Sequence, residues 1–332
     1  MKRIKKIIVG FFILLAISLS VKVSTYANND KMVYLGGENI GIKLNTGVTV
    51  MGKYEVDTIN GKFSPWKESN IEVGDVIISI NNLKISDNNS LLNILSNVEE
   101  EVVSVELLRN NQKIRTDIFV CKTIQNQKSL GLYIKDKILG VGTLTFVDVK
   151  SNRFASLGHG IYQNNKLFDS KSGLILGSNV DEVIKAVPGD AGEIRSTINN
   201  KVLGYITNNK NTGLYGKGIK KNNRDLIEIA DINEVKLGKA QIVTTLTNNQ
   251  KEKYDIEIIE LQDQSSVDIK GIKIRITDPK LLNITGGIVQ GMSGSPIIQD
   301  GKLVGAVSHV IVDNPTVGYG IYAKWMLKDA NI

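Results

Sequence analysis

The 332-residue chain holds one cysteine, Cys121, and two histidines, His159 and His309. A single thiol excludes an intrachain disulfide, and its place in the apolar run Ile118-Phe119-Val120-Cys121 predicts a buried strand thiol rather than a nucleophile. The histidines stand 150 positions apart and neither has an HExxH or cysteine partner, so no metal site and no cofactor is expected. The chain also shows no internal repeat. Acids are missing altogether before residue 28, where Lys2, Arg3, Lys5, Lys6 and Lys22 lie. Setting those five aside reduces the formal charge of +7 to 36 bases against 34 acids. So nearly neutral a body removes the main electrostatic argument for nucleic-acid binding.

Those early bases belong to a leader. Met1-Lys-Arg-Ile-Lys-Lys6 precedes an apolar run from Ile7 to Leu19, and Thr25-Tyr26-Ala27 offers small residues for cleavage. Residues 1–27 are expected to be a signal peptide or, if the run extends to Val21 or Val23, a short membrane anchor. In both cases the remainder is exported, extracytoplasmic or membrane-associated. The composition, 42% hydrophobic and 23% charged, is that of a folded protein with a sizeable core.

Residues 32–122 read as short strands with one helix. Ile40, Ile42 and Leu44 alternate as a half-buried strand should, after the loop Leu35-Gly36-Gly37-Glu38-Asn39. The run from Ser64-Pro65 to Val73-Gly74-Asp75-Val76-Ile77-Ile78-Ser79-Ile80-Asn81 is similar to bacterial PDZ domains. The resemblance implies a peptide-binding loop and strand at Gly36, Gly37, Ile40, Gly41 and Ile42, where amides meet a carboxylate and a strand edge pairs with the peptide. Asp87 to Asn97 is expected to be a helix with Leu91, Leu92 and Leu95 inward, and 102–120 a hairpin turning at Asn110-Asn111. A polar linker, 123–130, follows. Residues 131–332 hold many short β-branched runs broken by glycine and asparagine, which imply a barrel or sandwich.

The chemistry sits in Gly291-Met292-Ser293-Gly294-Ser295-Pro296. A serine hydroxyl needs an imidazole to take its proton, and glycines beside it allow the N–H groups of Gly291 and Ser293 to face an oxyanion. His159, in Leu157-Gly158-His159-Gly160 after an apolar strand, is the better base. His309 follows Ser293 by sixteen positions and suits packing or specificity. A carboxylate should hold the imidazole tautomer: Asp278 before Pro279 is one candidate, and Asp169, Asp181 and Asp190 are rivals that spacing does not separate. The loop Thr285-Gly-Gly-Ile-Val-Gln290 carries no acid, which predicts a substrate pocket without trypsin-like preference.

Ser293 with the following Pro296-Ile297-Ile298 and Leu303-Val304-Gly305-Ala306-Val307 resembles the chymotrypsin-like peptidases, with Ser295 departing from their glycine. Further matches run through Thr143-Leu-Thr-Phe146, Ser156-Leu-Gly-His159, Ile276-Thr-Asp-Pro-Lys-Leu-Leu282, Thr285 to Ile298, Gly305-Ala-Val-Ser-His309, Gly318-Tyr-Gly320 and Trp325-Met-Leu327. Together these are similar to the SpoIVB-type sporulation signalling peptidases. The resemblance implies a mainly β chain: a PDZ-like domain, then a chymotrypsin-like double β-barrel. It places the triad on His159, Asp278 and Ser293, the oxyanion hole on Gly291 and Ser293, and a substrate channel along Val307, Ser308 and His309. It implies self-cleavage near the N-terminus, and cleavage of a membrane-associated regulator of an intramembrane protease, which activates a sigma factor. Export into the space between forespore and mother cell is implied as well. Two other functions compete: an HtrA-type quality-control peptidase, against which the domain order argues, and a non-catalytic scaffold binding peptides through 32–122.

Overall fold

The computed structural model describes residues 31–332 except 111, 164, 169–171 and 221–223. The expected leader at 1–27 and the rival acid Asp169 lie outside the described residues, as do Asn111 of the predicted turn and part of the loop at 220–224.

The polypeptide is mainly β and forms two closed six-stranded antiparallel barrels with a PDZ domain. The first barrel uses β2 (Asn39–Lys53), β6 (Leu132–Asp148), β7 (Arg153–Ser156), β8 (Gly173–Ile184), β9 (Glu193–Lys210) and β10 (Gly213–Lys217). Pairing runs from β2 through β6, β7, β10, β9 and β8 back to β2, so the sheet closes on itself and leaves no edge. Ile40, Ile42, Leu44, Leu144, Phe154 and Ile175 fill its interior. Strand β1 (Met32–Leu35) is bound between β6 and β11 (Leu226–Ile229). The second barrel closes in the same way through β12 (Gly238–Thr245), β13 (Lys251–Leu261), β14 (Ile272–Ile276), β17 (Val317–Tyr322), β16 (Lys302–Val310) and β15 (Pro296–Gln299). The expected double barrel is the observed fold.

The PDZ module is placed differently from the sequence expectation. Its core, including Val48, Val50, Ile77, Leu91, Val105 and Ile118, also takes in Leu130 and Leu132. Strands β2 and β6 therefore run through both bodies: Asn39 to Asn45 pair with Lys137 to Thr143 in the barrel, while Thr49 to Lys53 pair with Leu132 to Lys135 in the module. The chain enters the first barrel, leaves it to build the module and returns on the neighbouring strand. Residues 39–44, inside the segment expected to be PDZ, thus pair within the barrel. The stretch 123–130 is no free linker either: Thr123 N–H donates to the Gln127 carbonyl at 2.8 Å, and Lys128 and Ser129 pair with Lys122 and Cys121.

Within the module, β3 (Val76–Ile80) pairs with β4 (Val102–Arg109), which turns back into β5 (Gln112–Phe119) as predicted. Helix α1 (Asn88–Asn97) starts where a capping box satisfies its first amides: Ser90 N–H donates to Asp87 at 2.7 Å and the Ser90 hydroxyl oxygen accepts from Asp87 N–H. Leu91 and Leu95 are buried, whereas Leu92, expected inward, is 58% exposed because it sits one position round the helix from Leu91. Cys121 is half-buried, in a two-residue strand, and burial raises its thiol pKa. Asp75 is fully buried against the Arg109 guanidinium, with two hydrogen bonds of 2.7 and 2.8 Å. Burial works to raise its pKa, but Arg109 and the Glu72 amide outweigh it and hold the carboxylate below its ordinary value.

Candidate active site

Ser293 lies in a turn between helix α2 (Pro279–Thr285) and β15, where the two barrels meet. First-barrel residues hold this turn. Thr143, the last residue of the shared strand β6 to pair with β2, donates its N–H to the Ser293 carbonyl at 2.9 Å and its hydroxyl to the Gly291 carbonyl at 2.9 Å. Thr145 donates its hydroxyl to the Gly294 carbonyl at 2.8 Å, and Gly294 N–H donates to Val307 at 2.7 Å. Gly294 has φ of +92°, and a Cβ there would stand 2.2 Å from the Thr143 carbonyl oxygen. The second glycine is therefore required by close approach as well as by backbone conformation.

Gly291 also has a positive φ, +98°. Among the described residues neither Gly291 N–H nor Ser293 N–H makes a backbone hydrogen bond, whereas Gln290, Met292, Gly294 and Ser295 donate to Gly192, Val289, Val307 and Met292. The two N–H groups assigned to the oxyanion are thus the ones left free in the turn, as an oxyanion hole needs.

His159 reaches the same place from β7. Leu157 and Gly158 both adopt left-handed conformations, with φ of 70° and 69°, and this sharp turn carries the imidazole off the strand end. Leu157 N–H donates to the Thr143 carbonyl, so one residue ties the histidine turn to the serine turn. His159 Nδ1 lies 2.9 Å from the Gly160 carbonyl oxygen, which requires that Nδ1 carry the proton and leaves Nε2 as the basic nitrogen. Burial lowers its pKa, opposed in part by that carbonyl. The Ser293 hydroxyl donates to the Ser308 carbonyl at 3.3 Å.

Asp278 is not joined to His159. Its Oδ1 accepts from Leu281 N–H at 3.0 Å and its Oδ2 from Asp255 N–H at 3.2 Å, which makes it the N-cap of α2. The motif Asp-Pro carries a capping signal, and the cap consumes the carboxylate. The described rivals fare no better. Asp190 accepts from Gly192 N–H within its own turn, and Asp181 from the Thr197 hydroxyl. The group that meets the imidazole is a backbone carbonyl, for which sequence gives no signal.

The expected channel residues divide. Val307 and Ser308 are buried, with Val307 in the core and the Ser308 hydroxyl turned to the Ile269 and Tyr319 carbonyls. Only the Ser308 carbonyl and the half-buried His309 ring face the site, and that ring stands 5.3 Å from His159 between centroids. Burial and, secondarily, His159 push His309 down to about 4. Gly36, Gly37, Ile40, Gly41 and Ile42 cannot be the edge that receives a peptide. Gly36 and Gly37 donate to Thr145 and Leu144, and residues 40–42 are paired on both sides, with β6 and β8. No group of metal-binding side chains occurs among the described residues. Thr143 and Thr145 were not singled out as functional in sequence, although both stand in the Thr143-Leu-Thr-Phe146 motif.

Residues 126–327 match the SpoIVB peptidase S55 family and residues 28–120 match the PDZ domain. No curated protein matches the chain. Among solved structures, an HtrA-type protease, AlgW with a decapeptide, shares 11% identity over 62% of this chain, with a TM-score of 0.36. The chain spans 53% of that protein's length. The active form of the Rv3671c protease from M. tuberculosis shares 16% identity over 72% of this chain and 84% of its own, with a TM-score of 0.31. The matched peptidase segment covers more than half of the sequence and contains both His159 and Ser293: the chain belongs to the SpoIVB peptidase S55 family and is a serine peptidase with a PDZ domain.

Proposed function

We propose that the protein is a regulatory endopeptidase that trims itself near its N-terminus and cleaves a membrane-associated regulator of an intramembrane protease, so that a sigma factor is activated during sporulation. Ser293 Oγ attacks the scissile carbonyl. His159 Nε2 takes its proton and returns it to the leaving amine, while the N–H groups of Gly291 and Ser293 hold the oxyanion. The observation that carries this reading is the turn itself: two free N–H groups flank a serine that Thr143 ties to the histidine turn. With Nδ1 bound to the Gly160 carbonyl, the tautomer a base needs is held without a carboxylate. The loop Thr285–Gln290 before the nucleophile carries no acid, which supports a pocket without preference for basic residues on the acyl side of the cleaved bond. The basic and apolar leader supports export of the remainder, in the space where such a regulator would be met.

Two measurements test this. Purified parent and Ser293→Ala chains are incubated and their lengths followed: trimming only in the parent is expected, and trimming in both, or in neither, counts against the reading. In a spore-forming host lacking its own copy, the parent should restore a reporter of late mother-cell transcription and Ser293→Ala should not. Equal restoration by both would remove proteolysis from the signalling role.

A further inference from the structure

The chain holds two histidines, 150 positions apart in sequence, and the fold brings both to the barrel junction. His159 leaves β7 through the left-handed pair Leu157-Gly158, and His309 stands near the end of β16. Gly158 lets the two segments touch: a Cβ there would come 2.9 Å from the Val307 carbonyl oxygen, so no larger residue allows this approach. Between Val307 and His309 the pairing of β16 with β17 shifts register, and a bulge of this kind re-aims the side chains beyond it. The backbone thus sets where both rings stand.

Their nitrogens are largely uncommitted. Nδ1 of His159 is held at the Gly160 carbonyl, but among the described residues Nε2 of His159 and both nitrogens of His309 make no hydrogen bond. Nδ1 of His309 is sealed from solvent as well. A buried polar atom without a partner is rare, and an ion is one of the few things that explains it. Two imidazoles on one tetrahedral ion, each bound at about 2.0–2.1 Å through a ring nitrogen, put their ring centres about 5 Å apart, whereas adjacent corners of a square-planar ion bring them to about 4.5 Å. The centroids of His159 and His309 are 5.3 Å apart with their planes at 49°, which matches the tetrahedral spacing. Stacking of two neutral rings would account for the distance but not for the unpartnered nitrogens. Imidazole nitrogen selects zinc and its transition-series neighbours over magnesium and calcium, which take oxygen. Three or more metal-binding side chains do not come together among the described residues, so water would complete the coordination sphere and the ion would exchange.

We infer that His159 and His309 form a two-imidazole site for zinc, and that the bound ion reversibly inhibits the peptidase by taking the Nε2 lone pair of His159. A lone pair given to a metal does not accept the Ser293 proton. The inhibition rests on the reading of His159 as the base; the site itself does not.

The test uses untagged chains in metal-free buffer. Zinc chloride is titrated by calorimetry into the Ser293→Ala chain, with magnesium chloride as the control, and the imidazole ring protons are followed by NMR. Saturable binding of a single zinc ion, no heat from magnesium, and shifts of the resonances of both rings together are expected. His309→Gln and His159→Gln, each in that background, should weaken zinc binding about tenfold or more, and Cys121→Ser should leave it unchanged. In a chain with Ser293 intact, zinc should inhibit peptide cleavage, a chelator should restore it, and His309→Gln should raise the half-inhibiting concentration about tenfold or more. No saturable binding, shifts confined to one ring, or binding that survives either histidine variant would overturn the site. Binding without inhibition of an active chain would overturn the regulation. A parent chain that cleaves nothing counts against the proposed function, and the calorimetric and NMR results then still decide the site.

Discussion

Thr143 donates its hydroxyl to the carbonyl of Gly291 at 2.9 Å, across the junction of the two barrels. The same residue donates its N–H to Ser293 and accepts from Leu157, so the turns that carry the proposed nucleophile and base are held by one first-barrel residue. A hydroxyl in that role is not interchangeable with a methyl group. Several expectations depend on this arrangement.

Thr143→Val keeps the shape and removes the donor, leaving the partly buried Gly291 carbonyl without this partner. A buried acceptor left unsatisfied costs about 1–3 kcal/mol. Turnover of a peptide substrate should fall by roughly tenfold to a hundredfold with KM little changed, since the lost bond orders the oxyanion turn rather than the substrate. Chemical denaturation and steady-state kinetics measure the two effects; parental kcat would show that the turn orders itself.

Asp278→Asn should retain turnover within a few-fold, because asparagine caps a helix about as well as aspartate and Asp278 makes its bonds to Leu281 and Asp255 amides. Asp278→Ala should lose about 0.5–2 kcal/mol of stability. Loss of a tautomer-fixing acid would instead cost on the order of 10⁴ in kcat. A drop of that size in Asp278→Asn, with an unchanged melting curve, would return the carboxylate to the catalytic set.

With His159 as the proposed base, activity requires its neutral form, and burial lowers its pKa from the ordinary value of 6.5. The acidic limb of kcat/KM should therefore fall below pH 6.5, since this profile reports the free enzyme. A midpoint above 6.5 would mean that a negative partner faces the imidazole.

His309 moves in the same direction, down to about 4, and so affects stability. Its folded pKa lies below its unfolded one, so the unfolded chain binds the additional proton as pH falls from about 6.5 toward 4, and stability drops across that window. Above it the term vanishes. His309→Gln should flatten the decline of the thermal midpoint between pH 7 and pH 4; an unaltered slope would assign the decline to other groups.

In the PDZ module the partly buried Arg109 pairs with the buried Asp75. Arg109→Met strands the Asp75 carboxylate and should destabilise the protein by about 3–5 kcal/mol, as breaking a buried pair does. The double change Arg109→Met/Asp75→Leu should recover most of that loss in the same melts.

Much of this was legible in the linear sequence because it depends on local signals. The tight turn at Gly291 and Gly294 follows from the glycines around Ser293, and the helix Asn88–Asn97 from its leucine spacing. The domain layout was not, because Ile40, Ile42 and Leu44 alternate in the same way whether their neighbours are PDZ strands or barrel strands. Alternation reports that one face is buried and is silent about the partner. Asp278 misled for a related reason: a carboxylate before proline serves equally as a helix cap or as a catalytic acid until its neighbours are known.

By itself the sequence determined the groups available: a serine in a glycine-rich turn, two imidazoles, a β-rich chain with no intrachain disulfide, and the glycines its tightest turn demands. Those properties follow from residue identity and from backbone conformations that few residues tolerate. Only the tertiary structure decided which strands pair, that 39–44 closes a barrel, and that the Gly160 carbonyl meets His159. Each is a contact between residues far apart in the chain or a choice of backbone direction, set by packing and hydrogen-bond closure that no short segment encodes.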